Sequence, residues 1–283
     1  MVALSWSGGK DSALALHVLR RDRGGTPTAL VTTITEDYDR VSMHGVRREL
    51  VQAQADAARV PLIEVRIPAA CPNDVYEARM AQALAVPPLA GVGTMAFADL
   101  FLEDIRAYRE ERLAAAGWTA TFPLWGRDTR ALAREFIDAG FQALLVCVDP
   151  TKIHPSFAGR AYDAKLLADL PADVDPCGEN GEFHTFVHAG PIFERPVPIE
   201  RGKTVHRDGF VFCDVLPARP GAGCAAVGPS TPSAVGAQSG AHGESTTRQP
   251  TQRVTVDAAR VTSSPPPTAG TSGTGRAAGS STA

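Results

Sequence analysis

Two short stretches of this 283-residue chain concentrate residue types able to do chemistry. The first is Ser7-Gly8-Gly9-Lys10-Asp11-Ser12. Two adjacent glycines allow positive φ and let a ligand approach the backbone closely. Ser7 and Ser12 add hydroxyl donors. The pattern that follows (Ala13, Leu14, Leu16, Leu19) reads as a helix from about Ser12. Its first turn offers unpaired N–H groups and the positive end of the dipole, so the stretch reads as a phosphate cradle. Lys10 either adds to the stabilisation of an anion or is an exposed, solvated side chain. Asp11 suits an N-cap or a magnesium contact against phosphates. A Walker A loop is excluded, because Asp11 follows Gly9-Lys10 and Leu4 stands where its first glycine belongs, and no G-x-G-x-x-G is present. The second stretch runs from Asp175 to Thr185 and holds Glu179, Asn180, Glu182, His184 and Thr185 beside Gly178 and Gly181. Such a loop could be a structural hairpin. Two carboxylates, an amide and an imidazole nevertheless exceed what a turn needs, and they suit proton transfer and oxyanion stabilisation.

Elements must hold these stretches in place. Val2 to Trp6 is a short apolar run of the kind that fills a sheet buried on both faces. Strands are expected at Ala29–Ile34, Leu62–Ile67 and Val92–Phe97, and helices at Val46–Arg59, Asp74–Ala85 and Asp99–Ala116. Such alternation predicts a parallel sheet flanked by helices. A second block is expected from Trp118, with strands at Thr119–Leu124 and Ala143–Val148. Between them lies a helix carrying Leu132/Phe136 and Ala133/Ile137 at i,i+4. Later apolar runs (Phe183, Phe186, Val187; Phe210, Val211, Phe212) suggest a smaller α+β domain. The expected division is therefore 1–117, 118–217 and a tail of 218–283. The tail is so poor in large apolar side chains that disorder is expected of it.

Composition narrows the function classes. A net charge of −3, a pI near 6.2 and the lack of a basic run argue against a nucleic-acid footprint. Five scattered cysteines, never spaced C-x-x-C, fit a reducing compartment and offer no zinc site. The chain opens on a core strand and holds no long apolar run, so a cytoplasmic protein without a membrane segment is expected.

The first loop resembles the SGGxDS pyrophosphate loop of the N-type ATP pyrophosphatases. Further stretches, in order Ser42–Val46 (SMHGV), Leu100–Arg106 (LFLEDIR), Pro123–Asp128 (PLWGRD) and Asp175–Phe186 (DPCGENGEFHTF), resemble one branch of that group, the diphthine–ammonia ligase family. The resemblance covers about residues 2–217. It implies an adenine-nucleotide α-hydrolase-like (HUP-like) domain followed by a smaller domain bearing GENGEFHT. It also implies an AMP-forming ligase using ATP, Mg²⁺ and ammonia, acting on diphthine of elongation factor 2 where the host makes diphthamide. In a bacterium another carboxylate would be the acceptor.

On this reading Ser7, Gly8, Gly9, Lys10, Asp11, Ser12 and His44 meet the nucleotide. Glu179 or Glu182 would accept the proton that ammonium must lose, while Asn180 and His184 orient the substrate or steady the oxyanion. Asp99, Glu103, Asp104 and Thr185 would lie on the substrate side. His44 could instead be a structural donor. Glu103 and Asp104, with Arg106 and Arg109, could form a solvated charged face. The chain departs from its relatives at Ala98-Asp99, where they usually carry Gly-Asp, which bears on the substrate pocket. Cys177 is either a packed loop residue or a persulfide carrier, and Arg127 shapes an edge or binds an anion. Two other function classes share the loop: a PP-loop tRNA-modifying enzyme, and a nucleotide-binding regulator or nucleotide hydrolase.

Overall fold

The computed structural model describes residues 1–23 and 25–218; the expected disordered tail, from 219 on, lies outside the described residues. The first half builds a sheet from β1 (Ala3–Ser5), β2 (Leu30–Thr35), β3 (Arg40–Val41), β4 (Leu62–Ile67), β5 (Thr94–Ala96) and β6 (Thr119–Thr121). Between them lie α1 (Lys10–Arg23), α2 (Arg48–Ala58), α3 (Asn73–Leu84) and α4 (Glu103–Ala115). The strands β4, β2, β1, β5 and β6 pair in parallel in that order, with β3 turning back antiparallel on the end of β2. Strand order therefore reverses between β1 and β5, and ligands in such sheets bind where the strand ends part at the reversal.

Alternation along the strands sends side chains to two cores. Leu4, Leu30, Ile34 and Ala96 join the cluster shared with α1 and α2. Ala3, Val31 and Met95 face the other way and pack with Leu84 of α3, Leu113 of α4 and Trp118. A mixed α/β fold with a helix-flanked parallel sheet is the architecture expected from the sequence.

The second half adds α5 (Thr129–Asp138), β7 (Gln142–Val148), α6 (Ala164–Asp169), β8 (Phe183–Ala189), β9 (Ile199–Arg207) and β10 (Phe210–Pro217). Its four strands form an antiparallel sheet in the order β8-β7-β10-β9. Asp128 caps α5 by accepting from the Ala131 N–H at 2.8 Å. One assignment changes. Thr119–Thr121, expected in the second block, pairs with Thr94–Ala96 and closes the first sheet. Local sequence marks a strand but does not name its partner. Likewise the helix expected from Asp99 starts at Glu103, after an irregular stretch with a bend at Phe101 and extended backbone at Leu102.

Candidate functional site

Both chemistry-bearing stretches of the sequence meet at the strand-order reversal. Ser7, Gly8 and Gly9 leave β1, and α1 begins at Lys10. Gly8 sits at φ +79°, and a Cβ there would lie 2.7 Å from Gln54 Oε1. Gly9 runs so close to β8 that a Cβ would stand 3.1 Å from the Thr185 carbonyl. The loop therefore requires glycine at both places, one for its dihedral and one for space. Ser12 Oγ donates to Gly9 O at 2.9 Å and lies 3.3 Å from Ser7 Oγ, so the two hydroxyls expected at a phosphate face one another.

The later loop is fastened directly onto this one. Val187 N donates to Gly8 O at 3.0 Å, and Lys10 N donates to Thr185 Oγ1 at 3.0 Å. Lys10 is only 4 % exposed, which removes the solvated reading. Its Nζ donates to both Asp11 carboxylate oxygens at 2.8 Å and to the Cys177 carbonyl. Burial lowers the Lys10 pKa, but Asp11 and the neighbouring Cys177 and Glu179 outweigh it and leave the ammonium above its ordinary value. Asp11 is thus a partner of Lys10, and a magnesium contact there would have to share that carboxylate. Among the described residues no cluster of three His, Cys, Asp or Glu could hold a metal ion by itself.

The two glutamates separate. Glu179 Oε1 accepts from Leu100 N at 2.7 Å, so this side chain reaches across to the segment that follows β5. Burial, reinforced by Asp11 and Asp99, pushes its carboxyl up to about 7 against the pull of Leu100 N–H and Lys10. Glu182, 4 % exposed, closes its own loop instead. Its Oε1 accepts from Asp175 N at 3.1 Å and from Asn180 Nδ2 at 3.2 Å, while its Oε2 is buried without a hydrogen-bond partner among the described residues. Asn180 itself is exposed, and its carbonyl accepts from Lys152 Nζ.

His44 and His184 lie with ring centroids 4.4 Å apart and their planes tilted by 34°, and His44 is a side chain that a Cβ on Gly9 would approach at 3.5 Å. Burial and the nearby Lys10 push His184 down to about 4, and burial with His184 holds His44 well below its usual range. Both rings are neutral at pH 7 and can donate or accept without adding charge.

Other expected residues fall outside this centre. Glu103 and Asp104 are exposed on the first turn of α4, as the solvated-face alternative held. Asp99 is half-buried and paired with Arg109 at 3.0 Å, close enough to Glu179 to raise it. Ala98 packs against the main apolar cluster. Arg127 pairs with Glu135 rather than facing the loop. Cys177 is buried with its thiol pushed up to about 12 by burial, and Sγ donates to Thr129 O at 3.3 Å; this is a packed cysteine, not a reactive one.

Gln54 is the residue that sequence reading missed. Fully buried on α2, it accepts from Trp6 Nε1 at 3.0 Å and donates to Gly8 O at 3.0 Å and to Val187 O at 2.6 Å. One amide thereby ties Trp6, just past β1, to the glycine loop and β8. A signal existed: Gln54 falls on the apolar stripe of Leu50, Val51, Ala55 and Ala58.

Comparison with known proteins follows the same two-part layout. A family model described as the diphthamide synthase N-terminal domain matches residues 1–100, and one described as the diphthamide synthase C-terminal domain matches 128–216. A diphthine–ammonia ligase of Danio rerio is 32% identical over 101 residues, covering 32% of this chain and 38% of that protein. That of Homo sapiens is 29% identical over 97 residues, covering 32% of this chain and 36% of the relative. For the Schizosaccharomyces pombe ligase the figures are 24% over 94 residues, 32% and 16%. The match thus spans well under half of each relative. With the glycine loop in the stretch matched by one model and the Glu179 loop in that matched by the other, the chain belongs to the diphthamide synthase family.

Proposed function

We propose that the protein is an ATP-dependent, AMP-forming carbon–nitrogen ligase that converts a carboxylate into an amide with ammonia. One observation carries this reading: a carboxyl group with a pKa of about 7, Glu179, stands within electrostatic reach of the Lys10–Asp11 pair on the phosphate-type loop. The glycine loop fits a nucleotide's phosphates through the close backbone approach at Gly8 and Gly9 and the helix terminus behind them. In the first step the substrate carboxylate attacks the α-phosphorus of ATP, the bond to the β-phosphate oxygen breaks, and pyrophosphate leaves. Loop amides and the Ser7 and Ser12 hydroxyls stabilise the negative charge that gathers on the leaving group. Lys10 acts here as a buried positive charge that holds the two loops in register.

In the second step Glu179 takes a proton from ammonium. The freed ammonia attacks the acyl carbon, the attached nitrogen releases a second proton to water, and AMP departs with the electrons of the acyl–oxygen bond. A carboxylate near 7 accepts that proton at neutral pH far better than one near 4.5. The neutral His44 ring lies beside Gly9 with the His184 ring against it, where they can donate to the developing oxyanion. The acceptor is diphthine on elongation factor 2 where the host makes it, and another carboxylate where it does not.

The test is ATP/pyrophosphate exchange with a panel of candidate acids, followed by amide formation with added ammonium. Glu179→Gln should keep exchange while lowering amide formation about 100-fold or more. If no acid stimulates exchange and ATP is only hydrolysed, the nucleotide-hydrolase reading replaces this one. If Glu179→Gln forms amide at the parent rate, the proton acceptor is elsewhere.

A further inference from the structure

A cleft of about 710 Å³ opens between the 40–47 segment and the hairpin of β9 and β10. Five cationic side chains line it, Arg40, Arg47, Arg201, Lys203 and Arg207, against one carboxylate, Asp214. In a chain of net charge −3 this is a local reversal of sign. Arg40 and Arg47 both donate to Asp214, at 3.0 and 2.7 Å, so one acid fixes two guanidinium groups; Glu49 at 4.0 Å from Arg47 and Asp208 at 3.4 Å from Arg207 offset part of the remaining positive charge. Lys203 and Arg207 project from exposed positions on β9. Apolar groups are interleaved with these charges, since Val205 in the lining is 46% exposed and Tyr38 and Met43 nearby are 57% and 44% exposed. His44 also lines the cleft, and its ring is the one beside Gly9, so that ring stands between the cleft and the glycine loop.

We propose that this cleft docks an extended acidic polypeptide segment of a second protein and guides it toward Gly9. The docking rests on charge complementarity; that the docked segment also presents the carboxylate to be amidated rests on the ligase reading above. Three alternative roles for the cations fit less well. Lysine and arginine on an edge strand discourage sheet-to-sheet pairing. That accounts for Lys203 and Arg207 but not for Arg40 and Arg47, which arrive from the other half of the chain. The chain's own 219–283 stretch carries Arg219, Arg248, Arg253, Arg260 and Arg276 against only Glu244 and Asp257, so its charge has the wrong sign. RNA would want free stacking faces among the cations. Here Arg207 lies over both Tyr38 and Phe212, at 5.5 and 5.0 Å from the ring centroids.

The experiment is fluorescence anisotropy with the full-length protein and two labelled probes, an oligoglutamate peptide and an oligouridylate of equal charge. Oligoglutamate should bind, with an affinity that falls as salt rises. Lys203→Glu combined with Arg207→Glu should weaken it about tenfold or more, and the neutral Lys203→Gln/Arg207→Gln pair should give a smaller loss. Both positions are exposed, and the charge-reversed protein should still catalyse ATP/pyrophosphate exchange with a small free acid. The proposal is overturned if oligoglutamate fails to bind, if charge reversal leaves its binding unchanged, or if oligouridylate binds more tightly at the same residues. Peptide binding lost on charge reversal, in a protein that performs no exchange with any acid, would uphold the docking cleft while sinking the ligase reading.

Discussion

In the folded chain burial keeps Glu179 protonated up to about pH 7, whereas an unperturbed glutamate ionises near 4.5. Between those values the native state holds the proton more tightly than the unfolded state does. The stability this contributes is complete below pH 4.5 and is lost as the pH rises through 7, by up to about 3 kcal/mol. Glu179→Gln should flatten that fall, so thermal melts from pH 5 to pH 8 should show the variant gaining on the parent as the pH rises. An identical slope in both proteins would mean that Glu179 is not held protonated. The sequence showed that residues 179–184 were unusually rich in chemistry, but not which glutamate faces the nucleotide loop. That distinction depends on Leu100 N, 79 positions away in the chain, capturing Glu179, while Asp175 and Asn180 capture Glu182 from within the same loop.

Elements whose local pattern matches their burial were readable, and the rest were not. Leu62–Ile67 was delimited from sequence alone because apolar residues run up to a proline. In contrast β9 is almost wholly exposed, and its run of Arg201, Lys203, Thr204, His206 and Arg207 carries no apolar alternation to announce a strand. It is a strand because β10 pairs with it along nearly its whole length. Gln54 on α2 shows the converse, a polar residue inside an apolar stripe that is easily taken for part of a solvated face. Replacing it by leucine keeps the helix and most of the volume but leaves the Trp6 indole N–H and the Val187 carbonyl without their partner. Gln54→Leu should therefore lose about 2–4 kcal/mol in urea unfolding. It should also raise the KM for ATP in pyrophosphate exchange, because Gly8 loses its lateral support. If stability falls as expected and KM does not change, Gln54 holds the fold together without setting the loop.

At the scale of the molecule, two sheets and two matched family domains suggest two folding units, yet one apolar cluster runs from Leu4 and Leu16 through Phe136 and Leu145 to Phe186 and Val215. Polar contacts cross the same boundary. Arg20 donates to Ile192 O at 2.8 Å, and Glu194 N donates to Ala57 O at 2.8 Å. Separating the halves would expose the apolar faces of α1 and α2 and take from Lys10 the Cys177 carbonyl, leaving it Asp11. The apolar loss alone is comparable to the stability of an ordinary domain. The two halves should therefore unfold together. Calorimetry should show one transition with equal calorimetric and van't Hoff enthalpies, although a chain of this size often unfolds in stages. A non-hydrolysable ATP analogue should move that whole transition upward, since a ligand held by the first half stabilises everything that melts with it. Two resolved transitions, with only the first responding to nucleotide, would show that the shared cluster contributes too little to couple them. Residues 1–127 expressed alone would then fold and bind nucleotide, whereas coupled halves require that fragment to remain unfolded.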